Sequence, residues 1–434
     1  MNIATHTFGC KLNFAETSNL QKKFVAAGYD IVSYHEKADL YVINTCTVTS
    51  VAEKKCRNAI RQAVTQNPKA IVAVIGCFAQ NDAKQIASIP GVSIILGNDQ
   101  KHKLLDIVTE LRKEHKGKDI KQPYISTGEP MSFQLSYSGD DRTRTFFKIQ
   151  DGCDYFCSYC AIPFARGRSR SATIAQTVAT AHEIAATGTQ EVILTGVNTG
   201  TFGLHHGERF IDLLKELDKI EGIRRYRISS IEPNLITDEI IDFVAQSRTF
   251  LPHFHIPLQA GSDKVLKMMR RRYDTTLYAN RLEHIHRVMP DACIAADVIT
   301  GFNGEDDKSF AQSKQYLEGL PISYLHVFPY SDRPNTLALK MKEKVAIPIR
   351  KARSLELHRL SECKRHAFVE SQRNKTRMVL WEHTRHSGPT GEMMQGWTDN
   401  YIRLQRPFEE ALCGTVTPYP ITELTIVENF SFDS

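Results

Sequence analysis

The feature that most constrains this chain is a group of three cysteines, Cys153, Cys157 and Cys160, spaced CxxxCxxC in the stretch DGCDYFCSYCAIPFARGRSRS. A structural zinc site takes four protein ligands, usually in paired elements, and no such partner follows Cys160 at a suitable spacing. A 4Fe-4S cluster normally takes one cysteine per iron. Three cysteines would therefore hold three irons and leave the fourth iron open to bind a substrate.

The spacing resembles the cluster loop of the radical S-adenosylmethionine (SAM) superfamily, in which the open iron binds the amino and carboxylate groups of SAM. The alternative is three unrelated structural cysteines. Chance rarely places cysteines at this spacing on a glycine-containing loop, so the resemblance is the favoured interpretation.

Composition sets the broad class. The chain has 434 residues, enough for two or three domains, and its net charge of +6 suits a polyanionic partner without requiring one. No apolar run is long enough to span a membrane, and the stretch MNIATHTFGCKLN lacks the pattern of a signal peptide. We therefore expect a cytoplasmic protein with no membrane partner, whose ten cysteines indicate metal or redox chemistry rather than disulfides.

Three further cysteines each end a short apolar run in the N-terminal region. The runs IATHTFGC, DLYVINTC and AIVAVIGC end at Cys10, Cys46 and Cys77, with helical patterns between them. Alternating strands and helices predict a parallel sheet, which binds ligands beyond the carboxyl ends of its strands. One cysteine at a strand end is usually a buried small hydrophobic residue, whereas three at equivalent ends predict a second three-thiolate site. The other cysteines are interpreted as packed free thiols: Cys56, Cys293, Cys363 and Cys413.

Composition and the pattern of apolar residues divide the α/β chain into four parts. Residues 1–111 are the N-terminal parallel βα domain, and 112–144, rich in Gly, Pro, Ser and charge, are interpreted as a linker. From 145 to 369 strand and helix patterns alternate, giving six strands. From 370 to 434 short alternating runs separated by turn residues predict a small β barrel.

Two of these parts resemble known domains. Six βα units with the cysteine loop after the first strand resemble the partial (β/α)6 TIM barrel of radical SAM enzymes, with the loop at the C-terminal face where barrel active sites lie. The C-terminal part resembles the TRAM domain, an RNA-binding barrel on RNA-modifying enzymes. A structural cap is the alternative.

The whole chain resembles the methylthiotransferases. The motifs GCKLN, NTCTVT, GCFAQ, FFKIQDGCDYFCSYCAIPFARG, ISSIEP and DVITGFNGE are most similar to the branch that acts on N(6)-threonylcarbamoyladenosine in tRNA. That branch implies addition of a methylthio group to carbon 2 of the adenine at position 37, next to the anticodon. Leu12 and Phe14 depart from the VNQ expected there. Sister branches modify N(6)-isopentenyladenosine in tRNA or an aspartate of a ribosomal protein.

The resemblance also implies the chemistry. Two 4Fe-4S clusters are expected, one on Cys153, Cys157 and Cys160 that cleaves SAM to a radical, and one on the other cysteine triad that carries or supplies sulfur. SAM serves both as radical source and as methyl donor. No catalytic residue beyond the cluster ligands is expected. The partners implied are tRNA and an electron donor such as flavodoxin or ferredoxin, and the enzyme is expected to be a monomer.

Several residues are predicted to contact SAM. Tyr159, with Tyr155 and Phe156, is expected to shield the cluster, with core packing as the alternative. The remaining candidates end predicted strands: Thr195, Gly196, Ser230, Glu232 and Gln259. Ser229 and Ser230 beside Glu232 also suit a polar adduct on the substrate base better than an isopentenyl chain.

Two arginine groups are predicted to contact phosphates, which position a nucleic acid without specifying its sequence. They are Arg166, Arg168, Arg170, Arg270, Arg271 and Arg272. The alternative is an ordinary solvated face.

Two other classes of protein are considered. An ordinary SAM-dependent methyltransferase has no need of six clustered cysteines. An iron-sulfur electron-transfer protein has no need of an open iron or a large barrel, and would not cleave SAM.

Overall fold

The computed structural model describes residues 1–115, 120, 122–139, 143–388 and 391–427. Its N-terminal part is a six-stranded parallel sheet in the order β2-β1-β3-β4-β5-β6. The strands are β1 (Asn2–Thr7), β2 (Asp30–Val32), β3 (Leu40–Thr45), β4 (Ile71–Gly76), β5 (Ile94–Leu96) and β6 (Tyr124–Ser126). The helices are α1 (Lys11–Ala26), α2 (Ser50–Gln66), α3 (Cys77–Asn81), α4 (Ala83–Ala87) and α5 (Leu104–His115).

Both faces of this sheet are covered, which explains why its central strands are continuously apolar. On one face Tyr41 and Ile43 pack in a core that includes Ile60 of α2. On the other face Val42 packs in a core that includes Phe24 of α1. The β1, β3 and β4 strands are neighbours, so their carboxyl ends share one edge.

Besides a two-stranded antiparallel pair, the central part contains two mainly parallel sheets. The strands are β7 (Ser136–Tyr137), β8 (Arg144–Lys148), β9 (Gln150–Asp151), β10 (Arg170–Ser171), β11 (Glu191–Thr195), β12 (Arg225–Ile228), β13 (His253–His255), β14 (Cys293–Thr300) and β15 (Tyr324–Pro329). The helices are α6 (Ile162–Arg166), α7 (Ile174–Ala186), α8 (Phe210–Leu217), α9 (Asp238–Gln246), α10 (Asp263–Met268), α11 (Thr275–Val288) and α12 (Asp307–Gly319).

These sheets have the orders β12-β11-β8-β7 and β13-β14-β15, with β7 antiparallel to β8. Two backbone hydrogen bonds join these two sheets. The N–H of Tyr226 donates to the carbonyl of Thr249 (2.8 Å), and the N–H of Leu251 donates to the carbonyl of Tyr226 (3.0 Å). The six parallel strands therefore follow one another in chain order. One face packs against the helices, and α1 lies against β8, with Ala15 in contact with Phe146 and Ile193.

A long helix that no sequence pattern indicated, α13 (Ile347–Gln372), packs against β15 and leads into the C-terminal part. That part contains β16 (Thr376–Gly388), β17 (Gly391–Thr398), β18 (Arg403–Pro407) and β19 (Val416–Pro420). The four strands form an antiparallel sheet in the order β18-β17-β16-β19. Trp381 is fully buried in its core.

The turn after β17 attaches this sheet to the central part. Arg227 on β12 donates to the carbonyls of Thr398 (2.7 Å) and Asp399 (2.8 Å). The ring of Tyr401 stacks on His253 of β13, with centroids 4.2 Å apart. Over the described part of the chain, no helix has the length and apolar character needed to cross a membrane.

Candidate active site

The loop from Cys153 to Cys160 runs from β9 toward α6 and forms the first candidate cluster site. Gly152, directly before it, has φ +71°, and a Cβ there would lie 2.0 Å from the carbonyl oxygen of Arg168. Glycine is therefore needed for the chain to enter the loop. The N–H of Cys160 donates to the carbonyl of Cys157 (3.0 Å), which places these two cysteines in one turn.

Donors approach two sulfurs of this loop. Nη1 of Arg271 lies 3.0 Å from Sγ of Cys157, and the N–H of Tyr155 lies 3.5 Å from Sγ of Cys153. Burial raises the pKa of Cys153 to about 11 and that of Cys160 to about 12, so the metal-free thiols are protonated at neutral pH. A metal binds the thiolate form of cysteine. Hydrogen-bond donors beside the sulfur stabilise that thiolate and so favour metal binding.

Cys10, Cys46 and Cys77 lie together at the carboxyl ends of β1, β3 and β4. Cys10 precedes α1, Cys46 directly follows β3, and Cys77 begins α3. Burial raises the pKa of Cys46, and the nearby Cys77 and Cys10 raise it further. Nδ2 of Asn98 lies 3.5 Å from Sγ of Cys77. The fold thus brings these three cysteines to one edge of the sheet.

The distances between the three sulfur atoms of each cysteine triad indicate whether the triad suits a single zinc ion or an iron-sulfur cluster. Two thiolates on one zinc ion, each about 2.3 Å from it, can be at most about 4.6 Å apart. Among the residues described, in neither set do all three sulfurs lie within 4.8 Å of one another. A polynuclear cluster binds each cysteine to a different iron and accepts the wider spacing. Both sets therefore fit an iron-sulfur cluster better than a single zinc ion.

A buried ion network connects the two cysteine sites. Arg166 on α6 is 1% exposed, with Nη1 2.9 Å from Oδ1 of Asp151 and Nη2 3.3 Å from Oε2 of Glu16. Glu16 on α1 also pairs with Lys101 and Lys148. Burial alone would raise the pKa of Glu16, but these cations hold it below its usual range. The network ties α1, which starts beside Cys10, to the strand before Cys153.

A cavity of about 250 Å³ is lined both by the N-terminal part and by the first cluster loop. Val48 and Thr49, just after Cys46, line it from the N-terminal part, and Cys160 lines it from the first cluster loop. Gln259 and Asp297 of the central part also contribute to its wall. A molecule in this cavity therefore contacts Cys160 of the first site and the segment that follows Cys46 of the second.

Two predicted SAM contacts, Tyr159 and Gln259, line this cavity. Gln259 has φ +70°, a left-handed conformation that is uncommon outside glycine and directs the chain at the end of β13. Glu232 pairs with Arg271, although burial raises the pKa of its carboxyl. The Ser230 carbonyl accepts a hydrogen bond from the backbone that follows β11.

The remaining predicted SAM contacts have few polar side-chain atoms available to a ligand. They can contribute backbone groups or aromatic rings. The Thr195 hydroxyl is buried and donates to the carbonyl of Ile193 (2.9 Å). A Cβ on Gly196 would lie 2.8 Å from Oε1 of Gln150, so this position requires a small residue. Tyr155 is buried, whereas Phe156 is 36% exposed.

The six arginines predicted to contact phosphate have different environments. Arg168, Arg270 and Arg272 are exposed. The Arg170 side chain is only 13% exposed and donates to the carbonyl of Ser132. The remaining two side chains, on Arg166 and Arg271, are 1% and 3% exposed. The structure corrects the prediction for those two, because buried carboxylates occupy their guanidinium groups.

Three polar side chains on the strands of the central part belong to no motif in the sequence and were not predicted from it. They are His255 on β13, Asp297 on β14 and His326 on β15, whose ligand atoms lie within 4.8 Å of one another. Asp297 and His326 interrupt mainly apolar strands, whereas His255 ends a short strand of sequence HFH. A period of two places such residues on the face away from the helices, and that signal identifies them.

Comparison with known proteins gives the family. Residues 2–97 match the uncharacterized protein family UPF0004, and residues 147–317 match the radical SAM superfamily. Threonylcarbamoyladenosine tRNA methylthiotransferase MtaB of Bacillus subtilis (strain 168) is 37% identical over 426 residues, covering 96% of this chain and 93% of that protein. MtaB of Aquifex aeolicus (strain VF5) is 37% identical over 408 residues, covering 94% and 97%.

An enzyme named for a different tRNA nucleoside is also similar to this chain. The tRNA-2-methylthio-N(6)-dimethylallyladenosine synthase of Desulfitobacterium hafniense (strain Y51) is 30% identical over 422 residues, covering 95% of this chain and 93% of that protein.

Among solved structures, the radical S-adenosylmethionine methyltransferase TsrM from Kitasatospora setae has a TM-score of 0.56 at 13% identity, covering 75% of this chain and 72% of that chain. This similarity supports the fold, a mixed α/β architecture with parallel sheets. The matches over nearly the whole chain, together with the two cysteine sites, show that this protein belongs to the radical SAM methylthiotransferase family.

Proposed function

We propose that this enzyme adds a methylthio group to carbon 2 of N(6)-threonylcarbamoyladenosine at position 37 of tRNA. The observation that carries the proposal is the cavity whose wall includes Cys160 of one cysteine site and Val48, two residues after Cys46, of the other. A base in this cavity has a radical source on one side and a sulfur source on the other. The family relatives at 37% identity act on threonylcarbamoyladenosine by name.

The superfamily implies SAM and a 4Fe-4S cluster. We place that cluster on Cys153, Cys157 and Cys160, and we propose a second 4Fe-4S cluster on the N-terminal triad, Cys10, Cys46 and Cys77. When bound, these cofactors supply the radical and sulfur chemistry at an otherwise unreactive carbon.

The chain's own residues orient these groups. Arg271 donates to Sγ of Cys157 and pairs with Glu232, so it fixes the loop against the strand end. Tyr159 and Gln259 present their side chains in the cavity wall, where we propose that they contact SAM. Gly196 has no side chain, which lets the side chain of Gln150 pack against the end of β11, and we propose that its backbone contacts SAM.

We also propose the domain division 1–111, 112–144, 145–369 and 370–434. In this proposal the six parallel strands form a partial (β/α)6 barrel, and the C-terminal sheet is a TRAM-like RNA-binding module. Within 112–144 the short strands β6 and β7 extend the sheets on either side, so this segment connects them through pairing as well as covalently. Residues 116–119, 121 and 140–142 of this segment lie outside the described residues.

The proposed partners are tRNA and a small electron donor such as flavodoxin or ferredoxin, and the proposed state is a cytoplasmic monomer. Arg168, Arg270 and Arg272 are the exposed candidates for tRNA phosphates.

A comparison of three substrates tests the function. Anaerobically reconstituted enzyme receives SAM, a reductant, and either threonylcarbamoylated tRNA, isopentenylated tRNA or ribosomal protein. Mass analysis of the digested products should show methylthiolation of the threonylcarbamoyl nucleoside at a much higher rate than of the other two. Reactions without reductant should give no product, which separates this enzyme from an ordinary SAM-dependent methyltransferase.

The relative at 30% identity identifies the competing result, since by name it makes a dimethylallyl product. Preferential methylthiolation of the isopentenylated tRNA would overturn the proposed substrate and leave the family assignment in place.

A further inference from the structure

Three side chains on adjacent strands form a polar group on the inner face of the central part. Asp297 and His326 are direct partners in the β14–β15 register, so their side chains point to the same face. His255 pairs with Ala295, two residues before Asp297, and therefore shares that face. Nε2 of His255 lies 2.7 Å from Oδ1 of Asp297, and the two imidazole rings have centroids 5.3 Å apart.

This polar group is reachable from the cavity that Val48 and Cys160 line. Asp297 lines the cavity together with Cys160 and Gln259. The side chains of His255 and Asp297 are each 21% exposed, so they are not sealed in the core. A molecule bound beside Cys160 can extend an attached group toward them.

Lys11, a basic residue of the N-terminal part, lies close enough to this group to affect its pKa values. Lys11 follows Cys10 directly at the start of α1. Burial, His255 and Lys11 all lower the pKa of His326, which falls to about 4. Burial would raise the pKa of Asp297, but His255, His326 and Lys11 together hold it below its usual value. At neutral pH the group therefore presents the neutral imidazole of His326 and the carboxylate of Asp297, with the Lys11 side chain nearby.

These charges decide which ligand fits. A divalent cation would be repelled by Lys11, and Nε2 of His255 is already engaged with Asp297. Among the described residues the Lys11 side chain has no hydrogen-bond or ion-pair partner, so its charge is available to an anion. A neutral imidazole donates or accepts, and Asp297 accepts. The ligand chemistry that fits is a carboxylate accompanied by hydroxyl and amide-like groups.

We propose that Lys11, His326 and the His255–Asp297 pair form the pocket that recognises the amino-acid-derived group on N6 of the target adenine. Lys11 pairs with its carboxylate, and the other side chains hydrogen-bond its hydroxyl and urea groups. This inference rests on the proposed function and names the residues that read the substrate. It also moves recognition away from Glu232, whose carboxylate is paired with Arg271.

The test uses two synthetic anticodon stem-loop RNAs, one with the threonylcarbamoyl group and one in which its carboxylate is a carboxamide. Reconstituted wild-type enzyme should prefer the carboxylate RNA by about 10- to 100-fold in kcat/KM, the range of a hydrogen bond to a charged group. Lys11→Gln should bring this ratio close to one, and Lys11→Arg should restore part of it. His326→Ala should lower kcat/KM for both RNAs by about 10-fold.

Matched controls are Lys23→Gln, later on α1, and His358→Ser, exposed on α13; both should keep the wild-type ratio. A wild-type enzyme that does not distinguish the two RNAs, or a Lys11→Gln enzyme with full iron content that still does, would overturn the inference alone. If the Lys11→Gln enzyme binds less iron than the wild type, its kcat/KM values do not test the inference. The inference is then tested by the preference of the wild type between the two RNAs and by the effect of His326→Ala. Turnover of isopentenylated RNA with none of either test RNA would overturn both this inference and the proposed function.

Discussion

Arg166 forms a buried ion pair with Asp151, with Nη1 2.9 Å from Oδ1 and both side chains at most 2% exposed. Asp151 lies two residues before Cys153, and Arg166 also reaches Glu16 near the start of α1. The pair therefore fixes one cysteine site relative to the other. Accurate placement matters here because a substrate between two cofactors must meet both.

Arg166→Met should destabilise the protein by about 3 kcal/mol, because it leaves buried carboxylates without a major partner. Chemical denaturation at pH 7 measures this loss. Arg168→Met, whose side chain is 72% exposed, is the control and should change the free energy of unfolding little. Equal losses in both variants would contradict a specific role for the buried pair.

The same pair predicts a pH dependence. Burial would raise the pKa of Asp151, but Arg166, Lys148 and Arg170 hold it well below its usual value. A carboxyl with a depressed folded pKa stabilises the fold above its unfolded pKa of about 3.9, and that contribution is lost as the pH falls below it. The metal-free wild type should therefore lose stability toward pH 3 more steeply than Arg166→Met, as followed by urea unfolding. Parallel pH curves for the two proteins would contradict this.

Cofactor content should separate the two cysteine sites. Reconstituted wild type should hold two 4Fe-4S clusters, and the variant with Cys153, Cys157 and Cys160 all changed to Ala should keep one. Iron and sulfide analysis measures both. The matched control is Cys293→Ala, since Cys293 is buried on β14 against Ala295 and Tyr324 and should not affect the count. A triple variant with both clusters would contradict the two-site proposal.

The two sites should also have separable roles. Changing Cys10, Cys46 and Cys77 to Ala should abolish methylthiolation but leave reductive cleavage of SAM to 5'-deoxyadenosine largely intact. Product analysis by mass spectrometry follows both reactions in one sample. If cleavage is lost while the first cluster is fully reconstituted, the two sites act as one unit.

Local patterns predicted more of this protein than long-range pairings did. The apolar runs before Cys10, Cys46 and Cys77 are strands because each is short, apolar and followed by a helical pattern. By contrast, α13 buries Arg350 and Arg353, which bind the Tyr330 carbonyl and Glu305, so it lacks the apolar stripe that marks a helix.

Long-range pairings also explain why the environments of some site residues differ from those that the sequence predicted. Arg166 looked like an exposed basic residue because its partner Glu16 is 150 positions away in the chain. Similarly, His255 and Asp297 meet only after two strands 42 residues apart lie side by side. Only tertiary structure determines such pairings, and they decide whether a charged side chain is available to a ligand.

Arg271 should tune the first cluster. Arg271→Met removes a positively charged donor 3.0 Å from Sγ of Cys157, and hydrogen bonds and charge near cluster sulfurs set reduction potentials. The reduced cluster carries more negative charge, so the midpoint potential should become more negative. Redox titration followed by EPR measures it, with exposed Lys267→Met on α10 as the control. A shift to a less negative potential in Arg271→Met would contradict this role.

The exposed arginines beside the cluster loop should carry the salt dependence of tRNA binding. Arg168→Gln, Arg270→Gln and Arg272→Gln should each lower the magnitude of the slope of log K against log salt by about 0.7 to 0.9, the value of one phosphate contact. Binding should weaken for all tRNA sequences alike, because phosphate contacts do not read bases. Filter binding at several salt concentrations measures the slopes. Arg287→Gln, exposed on α11, should leave the slope unchanged; an equal effect there would mean that general charge, and not this surface, attracts the tRNA.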